Sequence, residues 1–177
     1  MYSLSKPVKI FLKLSLCVML FTPSKIYALS GDETSVKAAF LYNFFKFIQW
    51  PNSNDLKEYV LCAPQPGKFT NALKPLESKV VNGHAIKVQF NVTPTELNKC
   101  HMLFLNESAS PQTYISQTEE LSILTVSDQP DFIEQGGMIG LVVDGNRLGF
   151  TVNLTQAHQQ NVYISAELLK LAQKVIH

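Results

Sequence analysis

The sequence predicts a three-layer α/β/α sandwich with a mostly parallel sheet and an antiparallel hairpin at one edge. Three observations lead there. Helix-like and strand-like segments alternate along the chain, as in α/β domains. "HMLFL" (101–105) is a continuous apolar run, the pattern of a parallel strand buried on both faces, and "SILTVSD" (122–128) reads as another buried strand. "MIGLVVDGNRLGFTVNL" sets two apolar runs around Asp144-Gly145-Asn146, a strong hairpin signal.

Taken in order, residues 1–28 stand apart from the rest. Lys6, Lys9 and Lys13 precede "LSLCVMLF", an apolar run too short to span a bilayer, and Ala28 and Ser30 offer small residues for cleavage. This reads as a secretory signal peptide, leaving one domain over residues 29–177. "KAAFLYNFFKFIQWP" (37–51) belongs to an opening helix from about Glu33 to Trp50, stopped by Pro51. "EYVLCA" (58–63) is a short strand, "PQPGKF" a turn, and "TNALKPLES" a short helix cut by Pro75. "AIKVQFNV" (85–92) alternates like a half-buried strand, and "TPTELNK" is a helical turn that Thr93 can cap. "PQTYISQTEE" reads as a helix, and "PDFIEQ" as one helical turn closed by Gly136 and Gly137. "SAELLKLAQKVIH" reads as a C-terminal helix with Ser165 as N-cap.

Charge excludes some functions. Loss of residues 1–28 removes four lysines and no acids, leaving 11 basic and 14 acidic residues, a net charge of −3. The only arginine is Arg147. Such a surface lacks the clustered Lys/Arg that nucleic-acid phosphates require. No two of the four histidines have metal-ligand spacing, and no G-x-S-x-G, C-x-x-C or phosphate-loop motif occurs. The residues give no catalytic constellation, and no cofactor is expected. Two cysteines survive processing, Cys62 and Cys100. An even count in an exported chain suggests a disulfide, and two buried free thiols are the alternative.

"KAAFLYNFFKFIQWP", "CHMLFL", "ILTVSD", "GGMIGLVVDGNRLGFTVNL" and "ISAELLKLAQKV" resemble, in this order, the YfiR-like family of exported bacterial proteins. The resemblance covers nearly all of the mature chain. It implies a periplasmic repressor, a non-enzyme that binds the periplasmic domain of an inner-membrane diguanylate cyclase, lowering cyclic di-GMP and biofilm formation. It also implies a dimer, and places Cys62 and Cys100 as one of the family's disulfide pairs. A second pair found in some relatives has no counterpart here.

The apolar residues of the opening helix cover an arc of roughly 200°, where one core contact needs about 100°. One side suits the sheet. The other suits a second helix of the same domain or a second protomer, with Phe40, Phe44 and Phe45 as candidate dimer contacts. The partner surface is expected on the late hairpin and C-terminal helix, at Phe150, Ile164, Leu168 and Leu169. Of these, Phe150 and Leu169 are expected to be partly exposed, and Leu168 and Leu171 to be core. A small-molecule-binding domain is the alternative, with Pro66, Gly67, Lys68 and Asp128 at the strand ends. Asp128 is also suited to capping the next helix.

Overall fold

The computed structural model describes residues 33–51, 56–145 and 147–177. The expected signal peptide, residues 1–28, lies outside them. Among the described residues no helix is long and apolar enough to cross a membrane.

Helix α1 (Glu33–Phe47) opens the domain and stops earlier than the expected Trp50. Ile48 and Gln49 instead form strand β1 (Ile48–Gln49), paired antiparallel with β9 (Tyr163–Ile164). The Ser165 N–H donates to the Phe47 carbonyl at 2.9 Å and extends this ribbon. Pro51 keeps Trp50 out of helical geometry, and pairing with β9 draws out Ile48 and Gln49 as well.

The main sheet holds β2 (Glu58–Ala63), β3 (Val80–Val81), β4 (His84–Phe90), β5 (Met102–Leu105), β6 (Leu124–Ser127), β7 (Ile139–Asp144), β8 (Arg147–Asn153) and β10 (Lys174–Ile176). Their order is β10-β8-β7-β6-β5-β2-β4-β3. Pairing is parallel except at β7–β8 and β3–β4. The β7–β8 hairpin runs from Ile139↔Val152 to Asp144↔Arg147. It is not at the sheet edge, because β10 adds beyond β8 with Lys174 opposite Thr151.

That outer strand replaces most of the expected C-terminal helix. Helix α5 (Ala166–Leu169) is one turn, capped by Ser165, whose hydroxyl accepts from the Leu168 N–H. Beyond it, "KVI" carries β-branched residues that suit an extended strand, and β8 offers an open row of backbone groups. The Gln173 N–H donates to the Phe150 carbonyl at 2.8 Å and starts the pairing. Helix α3 (Pro111–Ile115) is also shorter than expected. Ser116 and Thr118 donate their hydroxyls to the carbonyls of Gln112 and Ile115, and such local bonds compete with helix continuation. The "PDFIEQ" turn ends at Gly136 and Gly137. A Cβ at Gly137 would lie 2.1 Å from the Phe132 ring, so only glycine fits there.

Strand alternation sorts the core into two layers. Tyr59, Leu61 and Ala63 join α1, α2 (Thr70–Leu73), α4 (Leu154–Gln159) and α5 on one face. Val60 and Cys62 join α3 and the Pro94–Lys99 turn on the other. Cys62 and Cys100 are bonded, with Cα atoms 5.8 Å apart and a sequence separation of 38. The bridge ties β2 to the start of β5 inside the second layer.

Candidate partner-binding groove

On the α1 face, three phenylalanine rings from two elements meet. Phe40 and Phe44 lie one turn apart on α1, with centroids 6.0 Å apart. Phe150 comes from β8 and meets Phe44 at 5.4 Å and Phe40 at 6.1 Å. All three contacts are edge-to-face, the favoured arrangement for aromatic pairs. Around them Asn43, Phe47, Leu168 and Leu171 complete a cavity of about 350 Å³ with a largely apolar lining. Phe40 and Phe47 are half-buried, while Leu171 is 68% exposed. Val36, one turn before Phe40, is 37% exposed and extends the apolar stripe along α1.

These positions correct several expectations. Phe44 and Phe45 are 1% and 0% exposed, so they are core residues of this fold and not free to meet a second protomer. Phe45 packs on Trp50 and Tyr59 at 5.7 and 5.3 Å. The second side of the α1 arc is covered from within, by α2 and the Gly67–Phe69 turn on one flank and α5 on the other. Phe150, Ile164 and Leu168 are 3%, 8% and 3% exposed, so the groove meets solvent through other residues. Leu169 is partly buried. Leu171, expected in the core, is the exposed one, because the helix it was assigned to ends at Leu169.

The four residues of the alternative ligand site are split. Pro66 and Gly67 line a cleft of about 520 Å³ with Gln65, Thr70, Phe90 and Ser108. It lies at the carboxyl ends of β2, β4 and β5, where the strand order reverses direction. Lys68 instead pairs with Glu107 on the surface at 3.3 Å. Asp128 caps no helix. Its Oδ2 accepts from the Lys37 ammonium at 2.7 Å, with side chains 9% and 8% exposed. Burial opposes the charge on Lys37, but Asp128 and Glu33 outweigh it and raise the Lys37 pKa. Neither the sequence pattern of α1 nor that of β6 pointed to this pair. A lysine on a helix face that is otherwise apolar was the one available signal.

At the opposite sheet end, His101 joins β2 to β5. Its Nδ1 accepts from the Val60 N–H at 3.0 Å, and its carbonyl accepts from the Trp50 indole N–H at 3.0 Å. Burial lowers the His101 pKa, with Glu58 opposing. Among the described residues, no three His, Cys, Asp or Glu side chains are grouped to hold a metal ion.

The fold and groove define a class: an α/β sandwich with a disulfide inside its sheet and an apolar surface cavity on its first helix. Within it, the chain belongs to the YfiR/HmsC-like family, whose model matches residues 34–173. Membership in that family suggests a periplasmic regulator of a diguanylate cyclase. Among solved structures, the chain is similar to a conserved domain protein from Vibrio cholerae O1 biovar eltor (TM-score 0.57, 10% identity, 81% of this chain). It is also similar to an ABC domain from Streptococcus pneumonia in complex with L-Trp (TM-score 0.53, 11% identity, 78% of this chain). The chain spans 60% of the length of each, and at these identities the likeness concerns the fold. No curated protein matches the chain.

Proposed function

We propose that this protein is a periplasmic, non-enzymatic inhibitor that binds the periplasmic domain of an inner-membrane diguanylate cyclase and keeps it inactive. Family membership supports the class of function, and the groove supports the mode of action. The observation that carries the reading is the juxtaposition of half-buried Phe40 and Phe47 with Leu171, 68% exposed, over a rigid aromatic floor. Preorganised apolar pockets of this kind hold a few partner anchors, each worth about 1–3 kcal/mol, or roughly 10- to 100-fold in affinity. The cyclase then signals when the inhibitor leaves, raising cyclic di-GMP and biofilm formation. Homodimerisation belongs to the same proposal, with exposed Val36 at the N-terminal end of the α1 stripe replacing the buried Phe44 and Phe45 as its contact.

The test uses Leu171→Glu, with Phe44→Ala as the contrast. Leu171→Glu should raise cellular cyclic di-GMP while the melting temperature and periplasmic level of the protein stay near wild type. Phe44→Ala should instead unfold part of the population, because truncating a buried phenylalanine costs about 3–5 kcal/mol. If Leu171→Glu leaves cyclase repression unchanged, the groove is not the binding surface.

A second reading, a small-molecule-binding domain, is favoured by the cleft of about 520 Å³ beside Pro66 and Gly67. Ligands of open α/β sheets bind at such points, outside the carboxyl ends of the strands where strand order reverses.

A further inference from the structure

A second cleft lies at the other end of the sheet and belongs to neither reading above. It has a volume of about 520 Å³. Its floor is Trp50 and Tyr59, 5% and 2% exposed. Half-buried His84, at the start of β4, forms one wall, and Tyr163 of β9, 51% exposed, stands at another. The amide side chains of Gln49 and Asn82, both exposed, complete the rim. The local sequence explains the placement. Asn82 and Gly83, at φ +51° and +85°, form the tight turn between β3 and β4 that presents the Asn82 amide to Tyr59. Pairing of Gln49 with Tyr163 sets the amide and the phenol side by side.

Three features narrow the ligand. Among the described residues no Lys, Arg, Asp or Glu lines the cleft. A charged ligand would shed water without meeting an opposite charge, which is unfavourable. The polar groups present include two amides, two phenols and an imidazole, which both donate and accept, as hydroxyl and acetamido groups require. The rings do not make parallel walls: Trp50 and Tyr59 meet at 45°, and Tyr59 and His84 at 72°. A flat heteroaromatic is best held between parallel faces, whereas a puckered ring needs one open aromatic face and polar groups around it. Tyr163 supplies the exposed face. We propose that this cleft binds a neutral pyranose sugar, stacked on Tyr163 and hydrogen-bonded by Gln49, Asn82 and His84. The proposal does not depend on the partner groove.

Trp50 is the only tryptophan in the chain and sits in the floor, so its fluorescence reports occupancy directly. The mature protein is titrated with chitotriose and with cellotriose, which separate an N-acetylated glycan from a plain glucan as the source of the sugar. Saturable fluorescence change with either is expected by about 20 mM, the range of weak single-ring recognition. Tyr163→Ala should weaken binding by roughly 3- to 10-fold, and Tyr163→Phe by less than about 2-fold, since stacking resides in the ring. Tyr163 is a surface residue, so both variants should fold, which circular dichroism verifies. Gln49→Ala offers an independent loss at the position beside Tyr163. The proposal is overturned by absence of saturation with both sugars in fluorescence and in saturation-transfer NMR. Binding that ignores Tyr163→Ala, or tighter binding of neutral indole than of either sugar, overturns it equally.

Discussion

Replacing Lys37 with methionine breaks the buried ion pair between α1 and the end of β6, together with the lysine's second pair, to exposed Glu33 at 2.6 Å. The ammonium and the Asp128 carboxylate are 2.7 Å apart, and their side chains are 8% and 9% exposed. Among the described residues Asp128 Oδ1 has no hydrogen-bond partner, and Lys37 is the carboxylate's counter-charge. Methionine keeps the length and the apolar stem of lysine but strands the acid. Stranding one member of a buried pair costs about 3–5 kcal/mol. For a domain of this size that corresponds to a fall in melting temperature on the order of 10 °C. The double variant Lys37→Met/Asp128→Leu removes both charges and should recover most of the loss, because a buried pair and its apolar replacement are often close in stability. Urea unfolding of wild type, both single variants and the double variant closes the cycle. If Lys37→Met unfolds within about 0.5 kcal/mol of wild type, the carboxylate is solvated and the pair is not a structural anchor.

Two further outcomes concern the disulfide and His101. The Cys62–Cys100 loop spans 38 residues, so Cys62→Ala/Cys100→Ala should destabilise by about 4 kcal/mol in the chain-entropy view. Denaturant midpoints measure the loss, and non-reducing mass spectrometry of periplasmic protein should find no free thiol at either position. His101 should make stability depend on pH. Its folded pKa lies below the ordinary 6.5, so the unfolded chain binds more protons in that range. The stability it contributes is therefore complete above pH 6.5 and declines as pH falls below it, because a proton on Nδ1 breaks the bond from Val60. The carboxylates with lowered pKa values, Glu96, Glu134 and Glu167, start from 4.5 and lose their contribution at lower pH. Urea midpoints between about pH 5 and 7 should slope in wild type and flatten in His101→Gln; equal slopes would assign the effect elsewhere.

Local sequence was sufficient wherever one element's own pattern decides its state. The short segments at 102–105 and 124–127 read as buried strands, and both are central in the sheet. Asp144-Gly145 marked the hairpin because glycine accepts the positive φ, +59°, that the tight turn demands. The excess apolar width of α1 was equally legible and meant cover on two sides. What supplies that cover was not legible, because apolar residues carry no label for their partner. Tertiary structure decided that α2 and α5 provide it, which moves Phe44, Phe45 and Phe150 inside and leaves Leu171 at the surface. It decided that "KVI" leaves the helix for the sheet, since an open strand edge outweighs the weak helix preference of a short tail. It also decided the Lys37–Asp128 pair, which joins residues 91 positions apart. Sequence periodicity reports which side of an element is buried; which residues meet across the core is settled only when the elements pack.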